Sequence, residues 1–254
     1  MTNPLVSIGT LSYNSAAFIR ETIQSVLLQV YRNWEYVICD DCSTDDTVEI
    51  IKSYNDPRIK LFVNKKNLGY TENGKRLRQY LNGAFVKILD HDDMLYADCI
   101  NRELDVFLTK DDAGMVTCNA DFINAAGKKL YVNRVPFRED AVSRKQVLDC
   151  MFRTGRNSFI DGSRSMLRRE ALERDFPLSA GEKLYIIHET LCAYRVLPVS
   201  LQTRISSIKD FRKAYKSLYL NRELRISRLQ YINVCIVNVI NYFIRSLVKI
   251  LANI

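Results

Sequence analysis

Two hydrophobic patterns alternate along the first 120 residues. Short, mostly apolar runs are typical of strands in a buried parallel sheet, and they occur at 5–11, 34–40, 58–63, 85–89 and 114–120. Between these runs, apolar residues spaced three or four apart predict helices at 16–29, 43–54, 72–82 and 98–109. This alternation predicts an α/β fold with a mostly parallel central sheet and helices on both faces.

Beyond residue 120 the periodicity weakens. The pattern there predicts a hairpin at 124–132 with its turn at Ala126-Gly127, a helix at 143–152, and a loop, short strand and helix across 159–173. From about residue 206 onward the chain has a helical pattern. The hydrophobic pattern thus predicts fewer regular elements in the second half of the chain than in the first.

The positive charge of the chain is concentrated near its end. The net charge is +8, and residues 204–254 carry ten of the 37 Lys and Arg but only two of the 29 Asp and Glu. We therefore expect an α/β domain over 1–203, with halves of about 1–120 and 121–203, followed by a basic helical segment over 204–254. That asymmetry favours contact of the segment with an anionic surface.

Residues 229–254 predict an amphipathic helix rather than a spanning one. Its polar stripe is formed by Asn238, Asn241, Arg245, Lys249 and Asn253. With eight basic residues preceding it, this helix would suit an anionic membrane leaflet. Packing on the domain, or on another copy of the chain, is the alternative.

Three polar clusters directly follow predicted strands. They are Ser12-Tyr13-Asn14, Asp40-Asp41 and Asp90-His91-Asp92-Asp93. Because the carboxyl ends of parallel strands lie at one edge of a sheet, and ligands bind there, we expect the clusters to share one rim.

The carboxylates of the third cluster favour a cation. In an extended segment Asp90 and Asp92 would point the same way, about 7 Å apart, and would repel each other without a positive charge between them. Mg²⁺ or Mn²⁺ accepts such oxygen ligands and keeps positions open for phosphate oxygens. The alternative is that Asp92 or Asp93 caps the next helix.

In order and spacing, these motifs resemble family 2 glycosyltransferases. The resemblance rests on "SYN", "DDCSTD", "NLG" and "DHDD", is dense over residues 4–110 and extends loosely to about 200. It implies a glycosyltransferase A-type fold, a nucleotide-diphosphate sugar donor, a divalent cation (Mn or Mg) and inversion at the anomeric carbon. The first half of the domain would then hold the donor and the second half the acceptor.

The resemblance also implies roles for individual residues. Ser12, Tyr13 and Asn14 would border the nucleoside, Asp40 would accept a hydrogen bond from the base, and Asp41 would be its partner. Asp92 would contact the metal directly, and Asp90 would contact the metal, the ribose or a water molecule. Lys75 could reach the phosphates, although a solvated helix face is the alternative.

The general base is the least defined residue. The family supplies a Glu-Asp motif at the start of a helix, whereas this chain has Glu182 followed by Lys183, and the stretch is short, as though that helix were missing. Glu182 and Glu189 are therefore both candidates for the base. Ordinary surface positions would explain them equally well.

Three hypotheses follow for function. The first is an inverting, metal-dependent transferase that moves a sugar to a hydroxyl of a cell-surface glycan, by analogy a lipid-linked one. The second is a catalytically silent, nucleotide-binding partner of another transferase at the membrane. A nucleotidyltransferase is disfavoured because no Gly-rich phosphate loop follows the first strand.

Cysteine usage bears on the compartment. The chain has seven Cys, an odd number at scattered positions, which favours a reducing cytosol over a disulfide framework. We expect a cytoplasmic protein, peripheral on the inner face of the cell membrane, with no nucleic-acid partner.

Overall fold

The computed structural model describes residues 3–154, 162–174 and 177–197. In these ranges one sheet contains ten strands: β1 Val6–Ser12, β2 Trp34–Asp40, β3 Ile59–Val63, β4 Phe85–Ile88, β5 Met94–Leu95, β6 Ala113–Ile123, β7 Lys129–Asn133, β8 Ala141–Ser143, β9 Ser165–Arg168 and β10 Lys183–Arg195. The helices are α1 Ile19–Leu27, α2 Thr47–Lys52, α3 Tyr70–Arg78, α4 Cys99–Thr109 and α5 Arg144–Thr154. Two 3₁₀ helices flank β9, at Gly162–Arg164 and Arg169–Glu173.

The sheet has the strand order β3-β2-β1-β4-β9-β6-β10-β5, with β7 beside β6 and β8 beside β10. Strands β1, β2, β3, β4, β6 and β10 share one direction, whereas β5, β7, β8 and β9 run antiparallel to their neighbours. The predicted α/β fold with a mostly parallel sheet is therefore confirmed. Its antiparallel strands are short and belong mainly to the second half.

The core lies on both faces of the sheet, as β2 illustrates. All seven of its residues are buried. Trp34 and Ile38 pack into a cluster with residues of α1 and α4, and the intervening Val37 packs on the opposite face with Leu77 of α3. Successive side chains of a strand point to opposite faces, so a strand whose residues are all buried needs cover on both. Helices α1 and α4 supply it on one face and α3 on the other, as predicted.

Several elements differ from their predicted form. Helix α2 begins at Thr47 rather than near residue 43, because the Asp45 carboxylate accepts hydrogen bonds from the backbone N–H groups of Ala16 and Thr47 and holds the preceding residues in a loop. The helix predicted after β9 is a 3₁₀ helix. Strands β5 and β8, of two and three residues, are too short to leave a periodic signal.

An ion pair lies inside the core between the sheet and α4. Lys87 Nζ of β4 donates to both carboxylate oxygens of Glu103, at 2.9 and 2.8 Å, and both side chains are fully buried. Both groups thus keep a partner where no water reaches them.

Residues 204–254, and with them the predicted amphipathic helix, lie outside the described residues. Among the residues that are described, no helix is both long and apolar enough to cross a bilayer.

Candidate functional site

The carboxyl ends of β1, β2 and β4 lie side by side at one edge of the sheet. The backbone continues the pairing beyond the strands, since Leu89 N donates to Gly9 O and Asp41 N donates to Ser12 O, each at 2.9 Å. The polar clusters that follow these three strands therefore occupy one rim. We call this edge the rim throughout.

Asp40 fastens the first two rim loops together. Its carboxylate accepts hydrogen bonds from Ser12 Oγ at 2.9 Å, from Ser43 N at 2.9 Å and from Ser43 Oγ at 2.6 Å. The side chain is completely buried. The structure thus uses Asp40 to shape the β2–α2 loop and does not expose its carboxylate for a base.

Asp41 holds a third loop, residues 64–69, against the rim. It accepts hydrogen bonds from Asn64 Nδ2, Leu68 N and Gly69 N, all at 2.8 Å. Asn73 of α3 completes the network by accepting from Asn64 and donating to the Cys39 carbonyl. The two Asn residues were not identified from sequence, since isolated Asn residues carry no motif.

The outer surface of the rim is formed by Tyr13 and Asn14. Tyr13 is 46% exposed. Asn14 adopts a positive φ of 47° and accepts a hydrogen bond from Thr44 N at 2.8 Å, which joins the β1 and β2 loops. Cys42 is also left-handed, with φ of 64°. Non-Gly residues rarely adopt this conformation, and they concentrate at functional sites.

The third rim cluster brings three carboxylates together. Asp90 and Asp92 are half-buried, whereas Asp93 is buried and accepts a hydrogen bond from Arg195 N at 2.9 Å. Burial, and then the nearby charges of Asp90 and Asp92, raise the pKa of Asp93 well above its ordinary value. The helix-cap alternative is wrong, because the next helix begins only at Cys99.

Arg195 at the end of β10 is a buried cation that sequence reasoning missed. Its guanidinium donates to the carbonyls of Asp92 at 3.0 Å and Ala125 at 2.7 Å, and it pairs with Glu21 at 2.6 Å. It therefore ties the carboxylate cluster to α1 and to the β6–β7 turn. A single Arg at a strand end gives no sequence signal of this role.

The carboxylates fit a shared cation site rather than a closed one. Within the described ranges, no group of three or more His, Cys, Asp and Glu side chains is arranged to enclose a metal ion. Asp90 and Asp92 offer two neighbouring carboxylates with accumulated negative charge, and Mg²⁺ or Mn²⁺ commonly takes one or two carboxylates together with substrate phosphates. The residues present thus fit such an ion when a diphosphate completes its coordination.

Glu182 lies at the opposite edge of the sheet from the rim. It immediately precedes β10, whose first residue pairs with Ala113 at the start of β6. The carboxylate is bound by Arg174 Nη1 at 2.8 Å and Ser179 N at 2.6 Å. Because the 13 residues of β10 span about 40 Å, this placement contradicts the prediction of Glu182 as the base.

The remaining predicted residues are exposed. Glu189 lies at an irregularity in the middle of β10, is 59% exposed and forms an ion pair with Arg102 of α4. Lys75 of α3 forms an exposed ion pair with Glu72 one turn earlier, at 2.6 Å, which is the arrangement of a solvated helix face. Neither residue is held at the rim by a contact within the described residues.

The fold and the acidic rim define an α/β protein of the glycosyltransferase A type. The family model of "Glycosyl transferase family 2" matches residues 7–176, which is more than half of the chain. The chain therefore belongs to glycosyl transferase family 2, and the family resemblance noted from sequence is confirmed.

Two curated relatives each match a little under half of the chain. TuaG of Bacillus subtilis, whose name refers to teichuronic acid biosynthesis, is 37% identical over 114 residues, which is 43% of this chain and 45% of TuaG. The UDP-Glc:alpha-D-GlcNAc-diphosphoundecaprenol beta-1,3-glucosyltransferase WfgD of Escherichia coli is 36% identical over 124 residues, 49% of each chain. The matches thus span about half the length of these relatives.

Solved structures share the fold. Staphylococcus aureus TarS 1-349 in complex with UDP-GlcNAc aligns with a TM-score of 0.65 at 18% identity, covering 91% of this chain and 70% of TarS. The mannosyltransferase PcManGT from Pyrobaculum calidifontis, in complex with GDP-Man and Mn²⁺, aligns with a TM-score of 0.63 at 16% identity, covering 94% and 70%. At such low identity the likeness concerns the fold alone.

Proposed function

We propose that this chain is a nucleotide-sugar-dependent glycosyltransferase that acts on a cell-surface glycan. The observation that carries the proposal is the rim itself, where an exposed aromatic side chain, two loops fastened by buried carboxylates and a cluster of three carboxylates lie together. Family membership and the names of the relatives support the same reaction class. The bound nucleotides of the structural neighbours support a nucleoside diphosphate as carrier of the sugar.

The donor would lie across the carboxyl ends of β1, β2 and β4. Tyr13 and Asn14 would border the nucleoside, together with the loop at 64–69. Asp40 and Asp41 would act by positioning, since their carboxylates hold these loops in place and are themselves buried. Exposed Lys75 would at most add a diffuse attraction for phosphate.

The diphosphate would lie beside Asp90 and Asp92. Those two carboxylates would hold a divalent cation, Mn²⁺ or Mg²⁺. Arg195 fixes the Asp92 backbone by donating a hydrogen bond to its carbonyl. When bound, such an ion supplies positive charge to a leaving diphosphate. The carboxylates keep that charge at one place on the rim.

The transfer would proceed with inversion. The acceptor hydroxyl oxygen bonds to the anomeric carbon as the bond from that carbon to the diphosphate oxygen breaks, and a carboxylate takes the hydroxyl proton. With Glu182 at the opposite edge, Glu189 is the remaining candidate for that base. Its exposed side chain would have to leave its ion pair with Arg102 and accept a hydrogen bond from the acceptor hydroxyl.

A catalytically silent, nucleotide-binding partner of another transferase is the second candidate. The observation in its favour is the stretch before β10: residues 177–182 contain no helix, and Glu182 is engaged with Arg174. A silent chain would bind the nucleotide at an intact rim without turning the sugar over.

The acceptor and the location extend the proposal. The basic segment at 204–254 would bind the anionic leaflet on the inner face of the cell membrane, with the protein peripheral there. A lipid-linked glycan at that cytoplasmic face would then be within reach as the acceptor. Flotation of the full chain with phosphatidylglycerol vesicles, but not with phosphatidylcholine vesicles, tests this location. Equal flotation with both, or with neither, would reject it.

Donor hydrolysis tests the activity. A panel of UDP- and GDP-sugars is incubated with Mn²⁺, and release of the free sugar is measured. We expect one sugar to be released by the wild type, with at least a hundredfold loss in Asp92→Asn and no loss in the control Asp105→Asn, an exposed position on α4. Nucleotide binding without release of any sugar would favour the silent partner, and equal release by Asp92→Asn would reject the assigned role of Asp92.

A further inference from the structure

A cationic cleft lies next to the rim on the side of the second half of the chain. It has a volume of about 450 Å³ and is lined by Asn119, Arg134, Val135, Pro136, Phe137, Arg138 and His188. This volume falls within the range of small-molecule sites and is sufficient for one sugar unit. The lining contains two arginines and a histidine but no carboxylate. We call it the arginine cleft.

The two arginines of this cleft form no ion pair that would stabilise the described part of the fold. Arg134 and Arg138 are both exposed, and neither guanidinium pairs with a carboxylate in the part of the chain that the structure describes. Other cationic groups have such partners, for example Arg174 with Glu182 and Arg195 with Glu21. His188 Nε2 lies 3.3 Å from the Asp140 carboxylate, so the positive charge of the cleft comes from the two arginines, which attract anions.

The backbone of the cleft is fixed by Asn119 of β6. Its side-chain oxygen accepts a hydrogen bond from Val135 N at 2.9 Å, and its side-chain nitrogen donates to the His188 carbonyl at 2.5 Å. Asn119 is itself buried. It thereby joins the segment that carries both arginines to β10, so the two walls of the cleft are preorganised.

One short element connects the arginine cleft with the carboxylate cluster. The 3₁₀ helix Gly162–Arg164 accepts a hydrogen bond from Asp90 N through Ser163 Oγ at 3.1 Å. Its Arg164 donates to the carbonyls of Cys118 at 2.9 Å and Asn133 at 2.7 Å. Cys118 and Asn133 immediately precede Asn119 and Arg134 in the chain, so the cleft opens beside the place where the sugar would be transferred.

We propose that the arginine cleft binds an anionic group, a carboxylate or a phosphate, on the glycan acceptor. The inference rests on the proposed function and specifies its acceptor. Guanidinium groups bind both oxyanions through paired N–H donors, which a neutral sugar cannot match. An acceptor carrying a uronic acid or a sugar phosphate would thus be held beside the carboxylate cluster.

The test measures binding of three probes by calorimetry, with Mn²⁺ and whichever of UDP and GDP binds the chain present so that the rim is filled. Methyl glucuronide offers a carboxylate, glucose 1-phosphate offers a phosphate, and methyl glucoside is the neutral comparison. We expect at least one anionic probe to bind the wild type tenfold more tightly than methyl glucoside. The preferred probe then identifies which oxyanion the acceptor carries.

Variants locate the binding. Arg134→Gln/Arg138→Gln is expected to weaken the preferred probe at least tenfold. The control Arg169→Gln removes an exposed arginine from a separate cleft at the other end of β4 and should change nothing. Unchanged binding in the double variant, an equal loss in the control, or equal affinity for all three probes would overturn the inference.

Binding of UDP and of GDP to the same protein is measured before the probes are added. If one of the two nucleotides binds with Mn²⁺ but the anionic probes do not bind, the arginine cleft alone is refuted. If neither UDP nor GDP binds, the proposed function is refuted independently of the cleft.

Discussion

At the scale of single residues, environment separates carboxylates that look alike in sequence. Asp40 and Asp41 are buried and hold loops, whereas Asp90 and Asp92 are partly exposed and lie where a diphosphate would be bound. The motifs predicted that all four reach one rim, because strand ends determine that. They could not predict which carboxylates would accept hydrogen bonds from the loops, since this depends on donors distant in the chain, such as Gly69 N.

Glu182 and Arg195 show where sequence reasoning ended. Glu182 immediately precedes β10, and Arg195 is the last residue of that strand. Which end of it meets the rim follows from its parallel pairing with β6, and spacing along the chain does not encode that pairing. The family motif therefore pointed to Glu182, which lies at the edge opposite the rim. No motif pointed to Arg195, which lies at the rim.

Glu35 provides a prediction on stability against pH. Burial would raise its pKa, but hydrogen bonds from Lys60, Ser7 and Asn82 outweigh burial and lower it to about 2, from an ordinary value of 4.5. Its stabilising contribution is therefore complete above pH 4.5 and is lost as the pH falls toward 2. Glu35→Gln should lower the free energy of unfolding by about 2 kcal/mol at pH 7, allowing for solvent screening of the exposed Lys60.

Urea unfolding at pH 7, 5, 4 and 3 checks this prediction. The difference between wild type and Glu35→Gln should shrink steadily below pH 4.5, while the exposed control Glu49→Gln shows little difference throughout. A gap that stays constant down to pH 3 would show that the Glu35 charge contributes nothing.

At the scale of elements, strong periodicity and the observed structure agree closely. Strand β2 has the bounds that its apolar run predicted, because all seven of its residues are buried in the sheet. The elements that sequence missed, β5 and β8, exist only because β10 offers them backbone partners. Their stability is tertiary, so no local pattern could have revealed them.

The packing of α4 against β4 depends on the buried pair Lys87 and Glu103. Lys87→Met leaves the Glu103 carboxylate buried without its cation, and we expect a loss of about 3–5 kcal/mol in the free energy of unfolding. Lys87→Met/Glu103→Leu removes both charges and should recover most of that loss.

Chemical denaturation of the single and double variants forms a double-mutant cycle for this pair. Recovery in the double variant would demonstrate that the unpaired charge, rather than lost packing, destabilises the single variant. Additive losses would contradict the pairing seen between β4 and α4.

At the scale of the whole molecule, the two halves of the domain contribute different chemistry. The first half supplies the rim from three parallel strand ends. The second half adds Arg195, which fixes the carboxylate cluster, and the arginine cleft beside it. The rim was therefore accessible from motifs, whereas the arginine cleft required the folded arrangement.

The most direct measurement is calorimetric titration of UDP and of GDP into the full chain, with Mn²⁺ and with EDTA. We expect one nucleotide to bind at least tenfold more tightly with Mn²⁺, and Asp92→Asn to lose that enhancement while Asp105→Asn retains it. Equal affinity with Mn²⁺ and with EDTA, or no binding of either nucleotide, would contradict a rim whose carboxylates share a cation with a diphosphate.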